Sequence, residues 1–387
     1  MHVRANLHLS CMQFQDVIGQ EDIKHRLRKS IAEGRLAHAL MLLGPEGAGC
    51  LPLALAFVQY IACPNKSETD SCGQCATCRK IDHLQFADLH FSFPFFNKHP
   101  SPHNNTCSDW LGEFRAALSE EPYLDVELWR SHITKDNKIL QISVPEAGDI
   151  VKRLSLHSYE GGYKFQIIWM AEYLKSDTAN KLLKIIEEPP PNTLFILIAS
   201  ATEQILPTIM SRVQVMRVPR LSDEEIHQAL LQKGVEPTKA EGISHYVYGD
   251  WLKANVLIEN EHPDELYTFQ FQDWMRKCYK KDVLGLVRWA EGMNDLSRDD
   301  KKYFLNYAMD QVRQNLIRNY TGDPLIRMNG MEKDFSDKFA PFINDLNAES
   351  MLDRLQLAYR DVDRNINTKI LFTDLSFKLH YLLTTKA

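Results

Sequence analysis

Two groups of residues in this sequence have the types and spacing that chemistry needs. The first is Gly44-Pro45-Glu46-Gly47-Ala48-Gly49-Cys50-Leu51. It keeps the glycine frame of a phosphate-binding loop, G-x-x-x-x-G-K-[ST]. In such a loop backbone N–H groups cradle phosphates, the lysine reaches the β and γ phosphates, and the hydroxyl holds Mg²⁺. Here Cys50 stands at the lysine position and Leu51 at the hydroxyl position. A thiol is neutral or anionic and leucine has no ligand atom, so neither replaces what is lost. Glu46 adds a carboxylate where phosphates would sit. Glycines also serve any tight strand-to-helix turn, so Gly44, Gly47 and Gly49 alone leave that simpler reading open.

The second group is Cys63-x8-Cys72-x2-Cys75-x2-Cys78. Four thiolates this close suit a closed tetrahedral zinc site, which is structural because it leaves no open position. Lys66, Arg79 and Lys80 lie near enough to offset the charge of such a site. An iron–sulfur cluster uses the same ligands, and free structural cysteines are the third reading. Cys50 belongs to the loop at the far end of the intervening helix and is not counted as a ligand. His83 and His90 could replace a cysteine, but nothing requires them.

The elements that position these groups follow from hydrophobic pattern. Residues 14–36 read as a helical lead-in, HALMLLG as a buried strand, and LPLALAFVQYIAC as a helix after the glycine loop. Residues 81–140 read as an insertion of unknown role. It contains Phe91, Phe93, Phe95 and Phe96, expected to pack against the domain rather than form a docking surface. It also holds a polar stretch HPSPHNNTCS and a helix from Asp109 to Glu120. FQIIWM and TLFILIAS are further apolar strands, and the helix Thr178–Glu188 stops at Pro189. Alternating strands and helices over 14–218 imply a parallel sheet covered by helices. Beyond Leu221 only helical patterns remain, a small set at 221–260 and a larger one at 264–385.

The second half of an ATP site should be acids at a strand end, holding Mg²⁺ and orienting water. After the strand Phe165–Ile168 come Trp169, Met170, Ala171 and Glu172. Glu172 lies two or three residues too late, so both halves of the site are broken.

Composition limits the alternatives. A chain of 387 residues implies two to three domains, and 44% hydrophobic with 25% charged residues is a soluble globular balance. A net charge of −6 weighs against a stand-alone nucleic-acid binder. No run of eighteen apolar residues suggests a membrane span. Residues 1–11 lack the pattern of a signal peptide and read as a disordered extension or a misplaced start. The expected location is cytoplasmic, where a cysteine cluster reads as metal before disulfides.

The segments FQDVIGQEDIKHRLRKSIAEGRLAHALMLLGPEGAG and TANKLLKIIEEPPPNTLFILIASATEQILPTIMSR, with the cysteine cluster, resemble the AAA+ clamp-loader subunits of bacterial DNA polymerase III. The resemblance covers residues 12–80 and 145–218 well. It covers 81–140 poorly, and the end NINTKILFTDLSFKLHYLL is similar to the family's last collar helices. It implies an α/β AAA+ domain over 12–220 with a zinc module at 63–78, a helical lid at 221–260 and an all-α collar at 264–387. Within the family the match is to the delta-prime type, which lacks a working ATP site. The family's acidic pair falls on Trp169 and Met170, and its second-domain sensor arginine on Leu252 or Lys253. Its Ser-Arg-Cys triplet falls on Ser211-Arg212-Val213. There the arginine implies a finger reaching a neighbour's ATP site, although the cysteine has changed. The implied partners are ATPase subunits of gamma/tau type, a delta-type subunit and, through the complex, the sliding clamp and primed DNA. The only implied cofactor is structural zinc, with no functional ATP binding and no enzyme activity of its own. Two other functions compete: an active AAA+ ATPase with an atypical site, and a stand-alone zinc nucleic-acid-binding protein. Nucleotide binding by the isolated chain separates the first, and salt-dependent DNA binding the second.

Overall fold

The computed structural model of the chain describes residues 12–98, 105–134, 138–259, 263–296, 298–321, 330–363 and 366–384. Residues 1–11 and most of the polar stretch after Lys98 lie outside the described residues. The chain divides into two compact units, residues 1–256 and 257–387.

In the first unit, the continuous apolar runs become strands buried on both faces, as a covered parallel sheet requires. The chain order is α1 (Glu21–Ala32), β1 (Ala39–Leu43), α2 (Cys50–Ala62), α3 (Ala76–Asp82), β2 (Leu89–Ser92), α4 (Leu111–Glu120), α5 (Val126–Ile133) and α6 (Val144–Ser155). There follow β3 (Lys164–Trp169), α7 (Ser176–Glu187), β4 (Thr193–Ala199), α8 (Pro207–Met210) and β5 (Gln214–Arg217). The strands pair in the order β2-β3-β4-β1-β5, and every pair is parallel. One sheet face, with Leu40, Leu42, Phe165, Ile167 and Ile196, packs on α2 and on aromatic residues of the 81–140 region. The other, with Met41, Ile168, Phe195 and Leu197, packs on α6 and α7.

The lead-in expected at 14–36 is shorter: a 3-10 turn at Phe14–Asp16 and then α1. Residues 81–140, read as an insertion, are built into the sheet unit. They supply the edge strand β2 and a core cluster in which Phe93 stacks on Phe114 at 4.0 Å. Phe91, Phe93 and Phe95 are buried, and Trp129 donates its indole N–H to Pro94 O at 2.6 Å. Phe96 is half-buried against Trp110.

After the sheet come α9 (Asp223–Gln232), α10 (Pro237–Tyr246) and α11 (Trp251–Glu259). A full capping box at Ser222 and Glu225 starts α9. The second unit holds α12 (Pro263–Lys280), α13 (Val283–Gly292), α14 (Arg298–Thr321), α15 (Gly330–Phe339), α16 (Asp345–Asp363) and α17 (Thr368–Thr384). α16 packs on both α14 and α17. Trp274 stacks on Trp289 at 4.7 Å and donates to Ser376 Oγ at 2.7 Å, so the buried indole N–H is satisfied. Among the described residues no helix is long and apolar enough to cross a membrane.

Candidate functional site

The glycine loop leaves the carboxyl end of interior strand β1 and leads into α2, the place where open α/β sheets bind ligands. Gly47 and Gly49 have φ of 74° and 91°, conformations that favour glycine. The loop is held by its neighbours. Gln20 Nε2 donates to Ala48 O at 3.1 Å and to Pro219 O at 2.7 Å, and Trp251 N donates to Gly47 O at 3.1 Å. A Cβ at Gly47 would run into Asp250, and one at Gly49 would lie 3.0 Å from the Tyr123 ring.

The space around the loop is filled by the chain itself. Tyr123, Leu124, Trp169, Met170 and Ile198, all buried, line it together with Cys50 and Leu51. They leave a cavity of about 30 Å³, far below the ~300–1,000 Å³ of a ligand site. Tyr123 is locked in place by accepting a hydrogen bond from Ile18 N at 2.8 Å, and its ring lies 6.2 Å from that of Trp251.

Electrostatics around the loop are those of carboxylates, not of a phosphate cradle. Burial, then the charge of Glu172, pushes the Cys50 thiol up to about 12, so it stays protonated and inert. Loss of water, then the carboxylates of Asp125, Asp250, Glu172 and Glu127, pushes Glu46 up to about 8. Glu46 still presents exposed surface, which screens part of that shift. Glu172, too late for the strand end, is folded back by the 3-10 turn Ala171–Tyr173. Its Oε1 accepts from Ser200 N at 2.9 Å and Ser200 Oγ at 2.5 Å. Lys253, one of two residues at the expected sensor position, pairs with Asp250 at 3.2 Å.

At the other end of α2 the four cysteines converge. Cys63 closes that helix, Cys75 caps α3, and the Sγ atoms of Cys63, Cys72, Cys75 and Cys78 all lie within 4.8 Å of one another. Two separations are 3.6 Å (Cys63–Cys72) and 3.9 Å (Cys72–Cys78). A tetrahedral ion with ~2.3 Å Zn–S bonds sets its sulfurs about 3.8 Å apart, so the donor set fits zinc. Backbone N–H groups of Cys72, Cys75 and Cys78 each point at a cysteine sulfur at 3.4 Å, which favours thiolates. Those of Gln74 and Cys75 lower Cys72 to about 6, whereas burial pushes Cys63 and Cys78 up. The module is tied to the chain start, where Asp70 accepts from Phe14 N and Gln15 N at 3.1 and 2.9 Å.

Ser211 ends α8, and Arg212 follows it, away from the residues that line the filled cavity. Arg212 Nε pairs with Glu187 at 2.7 Å, and its Nη1 donates to Thr208 O at 3.0 Å and Ser211 Oγ at 3.3 Å. Its side chain is 32% exposed. Sequence reasoning missed Tyr123, Trp251 and Asp250. Their part in the site depends on contacts between distant segments, which no local motif marks.

A family model described as DNA polymerase III, delta subunit, matches residues 19–222, more than half of the chain. DNA polymerase III subunit delta' of Bacillus subtilis (strain 168) is 25% identical over 374 residues, covering 95% of this chain and 85% of that protein. DNA polymerase III subunit gamma of Buchnera aphidicola subsp. Acyrthosiphon pisum (strain APS) is 24% identical, covering 90% and 88%. Subunit delta' of Haemophilus influenzae (strain ATCC 51907 / DSM 11121 / KW20 / Rd) is 28% identical over 239 residues, covering 62% of this chain and 53% of that protein. The chain thus spans about half the length of this last relative.

Proposed function

The chain belongs to the DNA polymerase III delta subunit family, and on that premise we propose that it is a non-hydrolysing, delta-prime-type wall of a sliding-clamp loader. The observation that supports this is the packing of the loop: Tyr123, Trp169 and Met170 line it beside Cys50 and Leu51 and leave about 30 Å³ of space. In this reading residues 12–220 form the AAA+ body, 221–260 its lid and 264–387 the collar that joins a ring. Its partners are gamma/tau-type ATPases and a delta-type subunit, acting with the clamp and primed DNA in the cytoplasm.

Arg212 serves the neighbour's ATP site as a finger, with Ser211 shaping its approach. Its pairing with Glu187 is exposed, and such pairs are worth about 0–1 kcal/mol. A phosphate on another chain can therefore displace Glu187 at small cost. Cys63, Cys72, Cys75 and Cys78 would hold zinc, which supplies a tetrahedral cross-link between the end of α2 and the start of α3.

Two measurements test this reading. The isolated chain, titrated with a fluorescent ATP analogue, should show no saturable binding and no turnover. Arg212→Ala, reconstituted with the ATPase partner, should assemble normally yet slow DNA-stimulated hydrolysis, since such fingers contribute about 10³–10⁵ in rate. Lysine should rescue poorly, lacking the planar fork. Full activity of Arg212→Ala in an intact complex would remove the finger, and nucleotide turnover by the lone chain would restore the ATPase reading.

A further inference from the structure

The second unit carries a groove that the proposed function does not use. Its walls are one face of α12 (Gln272, Met275, Arg276, Tyr279, Lys280) and one face of α15 running into the next turn (Asp334, Phe335, Lys338, Phe339, Phe342). The residues recur at helical spacing on each wall, so a ridge from each helix frames the opening. Leu383 of α17 closes one part of it, and the volume is about 440 Å³. Met275, Phe335, Phe339 and Leu383 form a buried apolar floor. Tyr279, 50% exposed, makes the lip, with its ring 4.7 Å from Phe342.

The rim is charged with one sign in excess. It holds Arg276, Lys280 and Lys338 against the single carboxylate of Asp334. Lys280 and Lys338 have no ion-pair partner among the described residues. Nearby cations outside the groove are paired: Lys277 with Asp273, and Arg318 with Asp337. Among the described residues, Arg276 lies 5.8 Å from the Phe335 ring and donates to Gln272 Oε1 at 3.2 Å.

We propose that this groove docks an acidic amphipathic helix from another protein. Residues 272–280 of α12 extend about 12 Å, which matches two turns of a ligand helix. Apolar anchors at i, i+3 or i+4, and i+7 would enter the floor, the pattern of helix-in-groove recognition. Flanking Asp or Glu side chains would meet Arg276, Lys280 and Lys338. A nucleic-acid backbone fits worse, because phosphodiesters offer nothing to bury against Met275, Phe335 and Phe339. The inference rests on the second unit alone and stands whether or not the chain is a clamp-loader wall.

The test uses the full chain and a displayed library of random peptides about three helical turns long, selected on the wild type and on Lys280→Glu/Lys338→Glu. Both lysines are exposed, so the variant should fold, which circular dichroism checks. Wild-type selection should enrich peptides with Leu, Phe or Met at helical spacing between Asp and Glu. Fluorescence anisotropy should then show affinity falling about tenfold or more in the charge-reversed variant and in high salt. The variant should instead prefer the same peptide with lysines in place of its acids. Three results overturn the proposal. The first is no enrichment, or enrichment without acidic bias. The second is binding indifferent to the two reversals. The third is burial of the groove by a second copy or a loader subunit, seen as self-association or blocked peptide binding that the reversals relieve.

Discussion

The two ends of α2 began with comparable chemical promise and ended differently. At its start, the loop keeps Gly44, Gly47 and Gly49 but has Cys50 and Leu51 where a phosphate loop has a lysine and a hydroxyl, and Tyr123, Trp169 and Met170 line it. At its end, Cys63 joins three further cysteines whose sulfurs all lie within 4.8 Å of one another, two pairs at 3.6 and 3.9 Å. The contrast shows what a motif's parts report. The glycines persist for a packing reason, because Gly47 and Gly49 hold left-handed φ values and admit Asp250 and Tyr123 to close range. They are therefore a record of backbone shape. The ligand side chains are the record of chemistry, and only the cysteine end keeps them.

Removing the metal should have the largest effect and is the quickest way to break the contrast. Elemental analysis should find one zinc per chain. Small zinc modules owe about 10–16 kcal/mol of apparent binding energy to folding, so chelation or Cys75→Ser should unfold residues 63–82 locally. Hydrogen exchange should rise there and at Phe14 and Gln15, which hang on Asp70, well before the second unit responds. A chain that purifies without zinc, and whose melting ignores chelator, would make the cysteine end as spent as the glycine end.

Restoring the lost ligands sharpens the other side. Cys50→Lys with Leu51→Thr rebuilds the motif on paper, yet buries an ammonium at a site that pushes charge out. The cost should be roughly 2–4 kcal/mol, lessened by pairing with Glu172. Isothermal titration should still detect no ATP binding, because Tyr123 and Met170 fill the space. Adding Tyr123→Ala is the step expected to admit nucleotide. Binding by the double variant alone would mean that the missing side chains, not the filled cavity, silence the loop.

How much of this was legible follows from where each signal resides. β1, β3 and β4 were readable because burial on both faces leaves unbroken apolar runs. β2 (LHFS) and β5 (QVMR) were not: each is an edge strand of four residues with mixed polarity. The cysteine site was readable because its ligands lie within one short stretch. The filled pocket was not, since Tyr123, Trp169 and Trp251 come from separate segments and meet only in the fold. Glu172, too late by linear count, sits in the turn Ala171–Tyr173 and accepts from Ser200 N at 2.9 Å, a contact no local motif marks.

A smaller effect is expected from Gly49→Ala. Its φ of 91° strains any side chain, and the new Cβ would sit 3.0 Å from Tyr123. We expect a loss of about 1–3 kcal/mol in denaturant unfolding. Combining it with Tyr123→Ala should relieve the steric part and leave the torsional part. In a working phosphate loop the same change would be read out in nucleotide affinity. Here stability alone should move.

The smallest effect concerns Glu46, whose pKa rises to about 8 beside Asp125, Asp250, Glu172 and Glu127. An acid with a folded pKa above its unfolded value binds its proton more tightly in the native state. The stability it gives is fully present below the unfolded value of 4.5 and is lost as pH rises toward 8. Removing the charge should therefore flatten the decline. Glu46→Gln should match the wild type near pH 5 and exceed it near pH 8, by less than about 1 kcal/mol because the exposed side chain is screened. Urea titrations across that range measure it. A variant less stable than wild type at the high end would mean that Glu46 is ionised and held by a cation. That would make the mouth of this loop less hostile to charge than its ring of carboxylates implies.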